Sequence, residues 1–178
     1  MANGPEVRMT LNYIVDSSRE KYGDLGAVGM AMEESITYEE FHDRICALAA
    51  CLMERGLTKG DRVAILAENS YHWGIAYLAV VRMGGVGVPI LPDLPEADVH
   101  HILGEMKVKA IFTTQRQIEK IYDLRADRPE IVMTLDDFQS AEGLPQTEQF
   151  STIIETSLAD YREKRVQDEN FEFPEVDY

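Results

Sequence analysis

The sequence predicts an α/β domain in which helices flank an open, mostly parallel sheet. Strand and helix candidates alternate four times between Arg62 and Leu135 with short connections, as in right-handed strand–helix–strand crossovers. Residues 63–67 are an unbroken apolar run, which is typical of a strand covered on both faces. Residues 86–91 are predicted to form the next buried strand. The chain has 178 residues, 45% of them hydrophobic, so its core needs no disulfide or metal for stability.

The chain opens with a predicted helix and a hairpin. Apolar residues at helical spacing indicate a helix over residues 10–22, and Gly23 is a suitable end for it. Residues 27–32 predict a strand, and residues 36–37 predict a short return strand. These elements precede the alternating core.

The second helix has the clearest signals in the sequence. Thr37 is a good N-cap, and Glu40 stands where a capping box requires an acidic residue. Gly56 occupies the position of a C-terminal cap. The apolar stripe between them consists of Phe41, Ile45, Leu48, Ala49 and Leu52.

The core, about residues 60–135, continues with helices between the strands. Asn69 or Ser70 is expected to cap a helix that runs to Met83, and Pro95 opens the next one. A further helix is predicted over residues 115–125, with Ile118, Ile121 and Tyr122 pointing inward. The remaining strands are predicted over residues 110–113 and 131–135.

Residues 136–178 differ in character from the core. They carry a net charge of −9 of the total −15. One amphipathic helix is expected there, with an inward face made of Phe150, Ile153, Ile154, Leu158 and Tyr161. Residues 171–178 alternate apolar and acidic side chains, which favours the expectation that more of the natural protein follows.

Composition excludes several classes of protein. The 32 acidic residues outnumber the 17 basic ones, which argues against a nucleic-acid-binding protein and a polybasic membrane-surface domain. The apolar stretch 73–91 contains Arg82 at its centre and glycines in its second half, so no transmembrane segment is predicted. The N-terminus lacks signal-peptide features, and Cys46 and Cys51 suit neither a disulfide nor zinc. A cytoplasmic protein with two buried thiols is expected.

Candidate reactive residues support no catalytic set. The glycines at 84, 85 and 87 follow a helix and precede a strand, whereas phosphate loops require the opposite order. His42, His72, His100 and His101 match no metal or catalytic pattern and are interpreted as surface residues. Arg116 follows a strand at the edge where such sheets bind ligands, so an anion contact is open, although a surface role is favoured. We therefore predict no catalytic, cofactor-binding or metal residue in this chain.

Two segments resemble core motifs of the AMP-forming adenylating enzymes, the family that includes acyl-CoA synthetases. ITYEEF at residues 36–41 is similar to the first motif, and VRMGGVGVPI at residues 81–90 is similar to the second. GLTKGDRVAI at residues 56–65 and the ENS of residues 68–70 with Trp73 resemble the segments between them. The motifs stand in the family's order from about residue 11 to residue 135.

The resemblance implies an N-terminal fragment of the large AMP-binding domain, covering residues 1–178. The parent protein would use ATP, Mg²⁺ and CoA to convert a carboxylate into an acyl-adenylate and then a thioester. The family's phosphate loop and C-terminal domain have no counterpart in this sequence, so the fragment alone is expected to be inactive, with the rest of its own polypeptide as partner. The resemblance leaves open whether the parent protein forms a homodimer.

Subfamily features favour a long-chain fatty acid CoA ligase. They are the N-terminal start, the segment at residues 68–73 and the acidic insert. Two alternatives stay open at this stage. One is a fragment of a peptide-synthetase-type adenylation domain, and the other is a free-standing α/β binding or interaction domain.

Overall fold

A computed structural model describes residues 9–32, 34–124, 128–137 and 148–167. The helices are α1 (Leu11–Tyr22), α2 (Tyr38–Glu54), α3 (Tyr71–Arg82), α4 (Glu96–Met106) and α5 (Phe150–Gln167). The strands are β1 (Gly26–Val28), β2 (Ile36–Thr37), β3 (Arg62–Leu66), β4 (Val86–Ile90), β5 (Ala110–Thr113), β6 (Ile131–Thr134) and β7 (Glu148–Gln149).

The main sheet is parallel and has the order β4-β3-β5-β6-β7. The chain starts the sheet at β3, adds β4 on one side and then places β5 to β7 on the other side. This reversal creates a switch point between the carboxyl ends of β3 and β5, where open α/β sheets bind ligands. The predicted fold class is thereby confirmed.

Alternate residues of the strands face two separate cores. Val63, Ile65 and Phe112 pack against α2, α3 and α5, whereas Ala64 and Ile111 pack against α4. The two-residue period of a strand produces this division, and helices on both sides explain why the central strands are apolar throughout. The burial predicted for residues 86–91 is wrong in part, because β4 is an edge strand in which Val86 and Pro89 are exposed. β1 and β2 form a separate antiparallel pair in front of α2.

The predicted helix signals agree with the structure at several points. The Thr37 hydroxyl accepts a hydrogen bond from the Glu40 amide at 3.1 Å, and the Glu40 carboxylate accepts one from the Thr37 amide at 2.9 Å, which confirms the capping box. Gly56 follows α2 with φ +87°. The inward face of α5 is confirmed, with four of its members buried and Leu158 packed against them: Phe150, Ile153, Ile154 and Tyr161.

Two predicted elements are wrong in detail, and one strand was not predicted. The helix expected over residues 115–125 is a single 3₁₀ turn, Ile118–Ile121, although Ile118 and Ile121 are buried as predicted. β1 is shorter than expected because residues 31–32 form a turn. The parallel strand β7 was not predicted. Residues 168–178, which include the apolar and acidic alternation, lie outside the described residues.

The stretch 73–91 is divided between α3 and β4, as predicted. None of the helices in the described parts of the chain combines the length and apolar character that crossing a bilayer requires. Cys46 and Cys51 are buried free thiols, as predicted.

Candidate functional site

A cleft of about 360 Å³ lies at the carboxyl edge of the main sheet. It opens where the chain leaves β3, β5 and β6, and the start of α3 forms one wall. Glu68, Asp136 and Asp137 make it acidic. The other lining residues are Met30, Asn69, Ser70, Tyr71, His72, Thr114 and Leu135.

Glu68 is fixed at the switch point by neighbours from the segment after β5. Its carboxylate accepts hydrogen bonds from the Thr114 hydroxyl at 2.8 Å and from the Gln117 amide group at 2.7 Å. Partial burial raises the pKa of Glu68, but these hydrogen bonds outweigh that effect and hold it below its ordinary value. The cleft therefore presents a fixed negative charge at neutral pH.

Arg116, the candidate anion contact, lies beside this carboxylate. Its side chain is 79% exposed, and its Nε is 3.8 Å from Glu68 Oε1. A protein carboxylate is thus the anion it approaches. At this distance and exposure the pair is weak, which agrees with the surface role favoured for Arg116.

Ser70, and not Asn69, caps α3 at the mouth of the cleft. The Ser70 hydroxyl accepts a hydrogen bond from the Trp73 amide at 3.1 Å. The cap fixes the start of α3. There the Nδ1–H of His72 donates a hydrogen bond to the Leu135 carbonyl at 2.8 Å. The His72 ring also lies 4.7 Å from the Phe150 ring.

We expect Ser70→Ala to lower the free energy of unfolding by about 1 kcal/mol, because it removes the only side-chain acceptor found for the first turn of α3. Asn69→Ala is the matched control and should change stability by less than about 0.5 kcal/mol. Urea titration followed by circular dichroism measures both. A larger loss for Asn69→Ala would show that the cap has been assigned to the wrong residue.

The glycines of the second motif lie at the opposite edge of the sheet. Gly84 ends α3 with φ +78°, and a side chain at Gly85 would come within 3.1 Å of the Asp61 carbonyl. They permit a close turn from α3 into β4. This geometry supports the packing role predicted for them.

The surface location predicted for His42 is wrong. His42 is only 5% exposed, because α1 lies across its position on α2. His72 and His100 are half-buried and pair with backbone carbonyls, whereas His101 is exposed. Burial lowers the pKa of His42, but hydrogen bonds with Asp16 and Asp43 more than reverse this and raise it to about 10. His42 is therefore a buried imidazolium at neutral pH.

Chemically, the cleft can hold a polar or cationic group but repels phosphate. Within the described ranges, no three His, Cys, Asp or Glu side chains are placed to hold a metal ion. The absence of catalytic, cofactor-binding and metal residues from the whole chain stays a prediction.

This chain is similar to known proteins in sequence and in fold. Tyrocidine synthase 3 of Brevibacillus parabrevis is 33% identical over 81 residues, which are 46% of this chain and 1% of that protein. Peptide synthetases predominate among the similar curated proteins. This chain therefore spans a very small part of those relatives.

Two solved structures match over most of the chain. A long-chain-fatty-acid-CoA ligase, FadD1 from Archaeoglobus fulgidus, has a TM-score of 0.73 at 20% identity, over 99% of this chain and 34% of that one. The N-terminal subdomain of Klebsiella oxytoca NpsA in complex with anthranilyl-AMSN has a TM-score of 0.57 at 26% identity, over 82% and 31%. The first likeness shows the fold and supports the predicted N-terminal domain of acyl-CoA synthetases.

The profile of one protein family matches residues 15–170, well over half of the sequence. The match includes α2, the whole main sheet and α5. The chain belongs to the AMP-binding enzyme family.

Proposed function

We propose that the protein containing this chain is an AMP-forming ligase that activates a long-chain fatty acid. The carboxylate of the fatty acid attacks the α-phosphorus of ATP, which releases pyrophosphate and forms an acyl-adenylate. The thiol of CoA then attacks the acyl carbon, which releases AMP and forms a thioester. Mg²⁺ accompanies ATP in this proposal.

The family match over residues 15–170 is the observation that carries the adenylation step. The fatty acid and CoA have weaker support. It consists of the sequence features at residues 68–73 and the likeness to the fatty-acid ligase from Archaeoglobus fulgidus.

In this proposal the chain is the N-terminal scaffold of the large domain, and the phosphate loop and C-terminal domain belong to the rest of the polypeptide. Its coverage of about a third of the solved relatives supports this arrangement. So do the exposed apolar side chains of Leu25 and Met32 near the hairpin, because exposed apolar surface marks contacts with other protein. We also propose a cytoplasmic location, supported by the two free thiols. A homodimer stays a hypothesis.

A peptide-synthetase-type adenylation domain is the second candidate. The similarity to tyrocidine synthase 3 and related synthetases favours it. In that case the acid would be an amino acid or aryl acid, and the acceptor a carrier-protein thiol. A free-standing binding domain without adenylation lacks comparable support.

The substrate panel of the natural protein tests this proposal. An antibody against this chain would be used to purify the protein from its source cells for ATP–pyrophosphate exchange with fatty acids, aryl acids and amino acids. We expect exchange with long-chain fatty acids, and acyl-CoA once CoA is added. Exchange with amino acids alone would support the peptide-synthetase candidate. Exchange with no carboxylate would contradict adenylation.

A further inference from the structure

A row of alternating charges, the charge cluster, crosses four helices on one side of the sheet. Arg82 on α3 donates to both carboxylate oxygens of Asp16 on α1, at 2.7 and 2.8 Å. Asp16 Oδ1 is 3.1 Å from Nε2 of His42 on α2. On the other side of the imidazole, Asp43 Oδ1 is 3.7 Å from Nδ1 and 3.2 Å from Nη1 of Arg165 on α5.

Three members of this row of charges are largely buried, and two reach the solvent. The side chains of His42 and Asp43 are each 6% exposed and that of Arg82 is 13% exposed, whereas those of Asp16 and Arg165 are 40% and 38% exposed. Cys46 Sγ, 3.7 Å from His42 Nε2, contributes the other buried face of the cluster. Removing the charge of Asp16 would take an ionised partner from two largely buried cations, Arg82 and His42.

Helix α1 depends on this cluster because it buries so little apolar surface. None of its residues is buried. Leu11, Tyr13 and Ile14 are between 38% and 45% exposed, although Val15 packs partly against the core. Such an element belongs to the least stable part of a fold, since local opening costs little where few apolar contacts are lost.

The C-terminal end of α1 is tethered differently. The Glu39 amide donates to the Gly23 carbonyl, and the Tyr38 amide donates to the Leu25 carbonyl, each at 3.0 Å. Arg19 also pairs with Glu39 at 2.9 Å, but on the surface. Asp16 therefore attaches the middle of α1 to α2 and α3. The hydrogen-bonded backbone after α1 acts as the hinge.

We propose that α1 is a strap that Asp16 fastens across α2 and α3, and that it opens as a unit while the main sheet stays folded. Opening breaks the two contacts of Asp16 with Arg82 and His42. It exposes His42 to solvent and leaves the pairs between Asp43 and α5 intact.

The charges around the cluster keep the contacts of Asp16 with Arg82 and His42 formed at neutral pH. The groups that face it are Asp16 from α1, Asp43 and Cys46 from α2, Arg82 from α3, and Tyr161, Arg162 and Arg165 from α5. Burial raises the pKa of Asp16, but contacts with His42 and Arg82 lower it below its ordinary value overall. Asp16 and His42 are therefore both charged at neutral pH.

Hydrogen exchange followed by mass spectrometry tests the strap in the 178-residue chain. Asp16→Asn keeps the shape but removes the fastening charge, so amides of α1 should exchange about tenfold faster or more, while those of α3 and α4 keep their rates. Glu39→Gln is the matched control, because it removes the other ion pair between α1 and α2. It should change α1 exchange by less than about threefold, as for exposed pairs.

Unchanged α1 rates in Asp16→Asn, or an equal acceleration in α1, α3 and α4, would overturn the proposal. The unmodified chain supplies a second measurement should the variant not fold. Its α1 amides should exchange with little dependence on low urea concentrations, and those of α3 with a steep dependence, because local opening exposes little surface. The same steep dependence in both helices would show that α1 opens only on global unfolding.

Discussion

Replacing His42 by glutamine is expected to lower the free energy of unfolding by about 1.5–3 kcal/mol at neutral pH, the range for hydrogen bonds to charged groups. The variant places a neutral side chain between Asp16 and Asp43, while Arg82 and Arg165 still pair with these carboxylates. Urea denaturation measures the loss. His101→Gln is the matched control, since that exposed histidine of α4 should contribute less than about 0.5 kcal/mol.

The contribution of His42 should also depend on pH with a defined sign. Its pKa is raised from 6.5 to about 10, so the folded state binds the proton more tightly than the unfolded state. The stability difference between the unmodified chain and His42→Gln should be largest below pH 6.5, decline between pH 6.5 and about 10, and vanish or level off above that. A difference that is constant or grows with rising pH would contradict a buried imidazolium.

The isolated 178-residue chain is expected to bind ATP negligibly and to catalyse no carboxylate-dependent ATP–pyrophosphate exchange. The cleft at its sheet edge carries the carboxylates of Glu68, Asp136 and Asp137, which repel a triphosphate. Isothermal titration and radiolabelled pyrophosphate exchange measure the two properties, with the natural protein as the positive control.

A contaminating adenylating enzyme would also catalyse pyrophosphate exchange, so the activity must be assigned to the chain itself. Exchange by the purified chain would contradict the scaffold role only if the activity were lost when an antibody removed the chain. An unrelated protein purified in the same way shows the background.

Local signals in the sequence were sufficient for most of the fold. Thr37 and Glu40 defined the start of α2 because a capping box involves only neighbouring residues. The apolar run of β3 reported burial on both faces for the same local reason. The run of β4 did not, because β4 is the edge strand and leaves Val86 and Pro89 exposed. The motif resemblance then identified the family, since four weak motifs stood in the right order.

The errors concern contacts between distant residues. β7 is two residues long and pairs with β6 across a connection of more than ten residues, so no local pattern marks it. Helix formation after β5 stops at one 3₁₀ turn, where the Lys120 ammonium donates to the carbonyls of Pro92 and Leu94.

His42 was misplaced for the same reason. Its partner Asp16 lies 26 residues away in sequence, and the apolar stripe of α2 did not include it. The Cys46 thiol, one helical turn further along α2, was the only local signal of a buried polar face. The cleft was anticipated only through Arg116, whereas Glu68 is the residue that the neighbouring side chains hold in place.

The size of the natural polypeptide tests the central claim most directly, namely that this chain is the N-terminal scaffold of a larger adenylating enzyme. An antibody raised against the chain would be used to probe a lysate of its source cells. We predict a band far larger than the 20.2 kDa of these 178 residues. A single band at 20.2 kDa would contradict the claim.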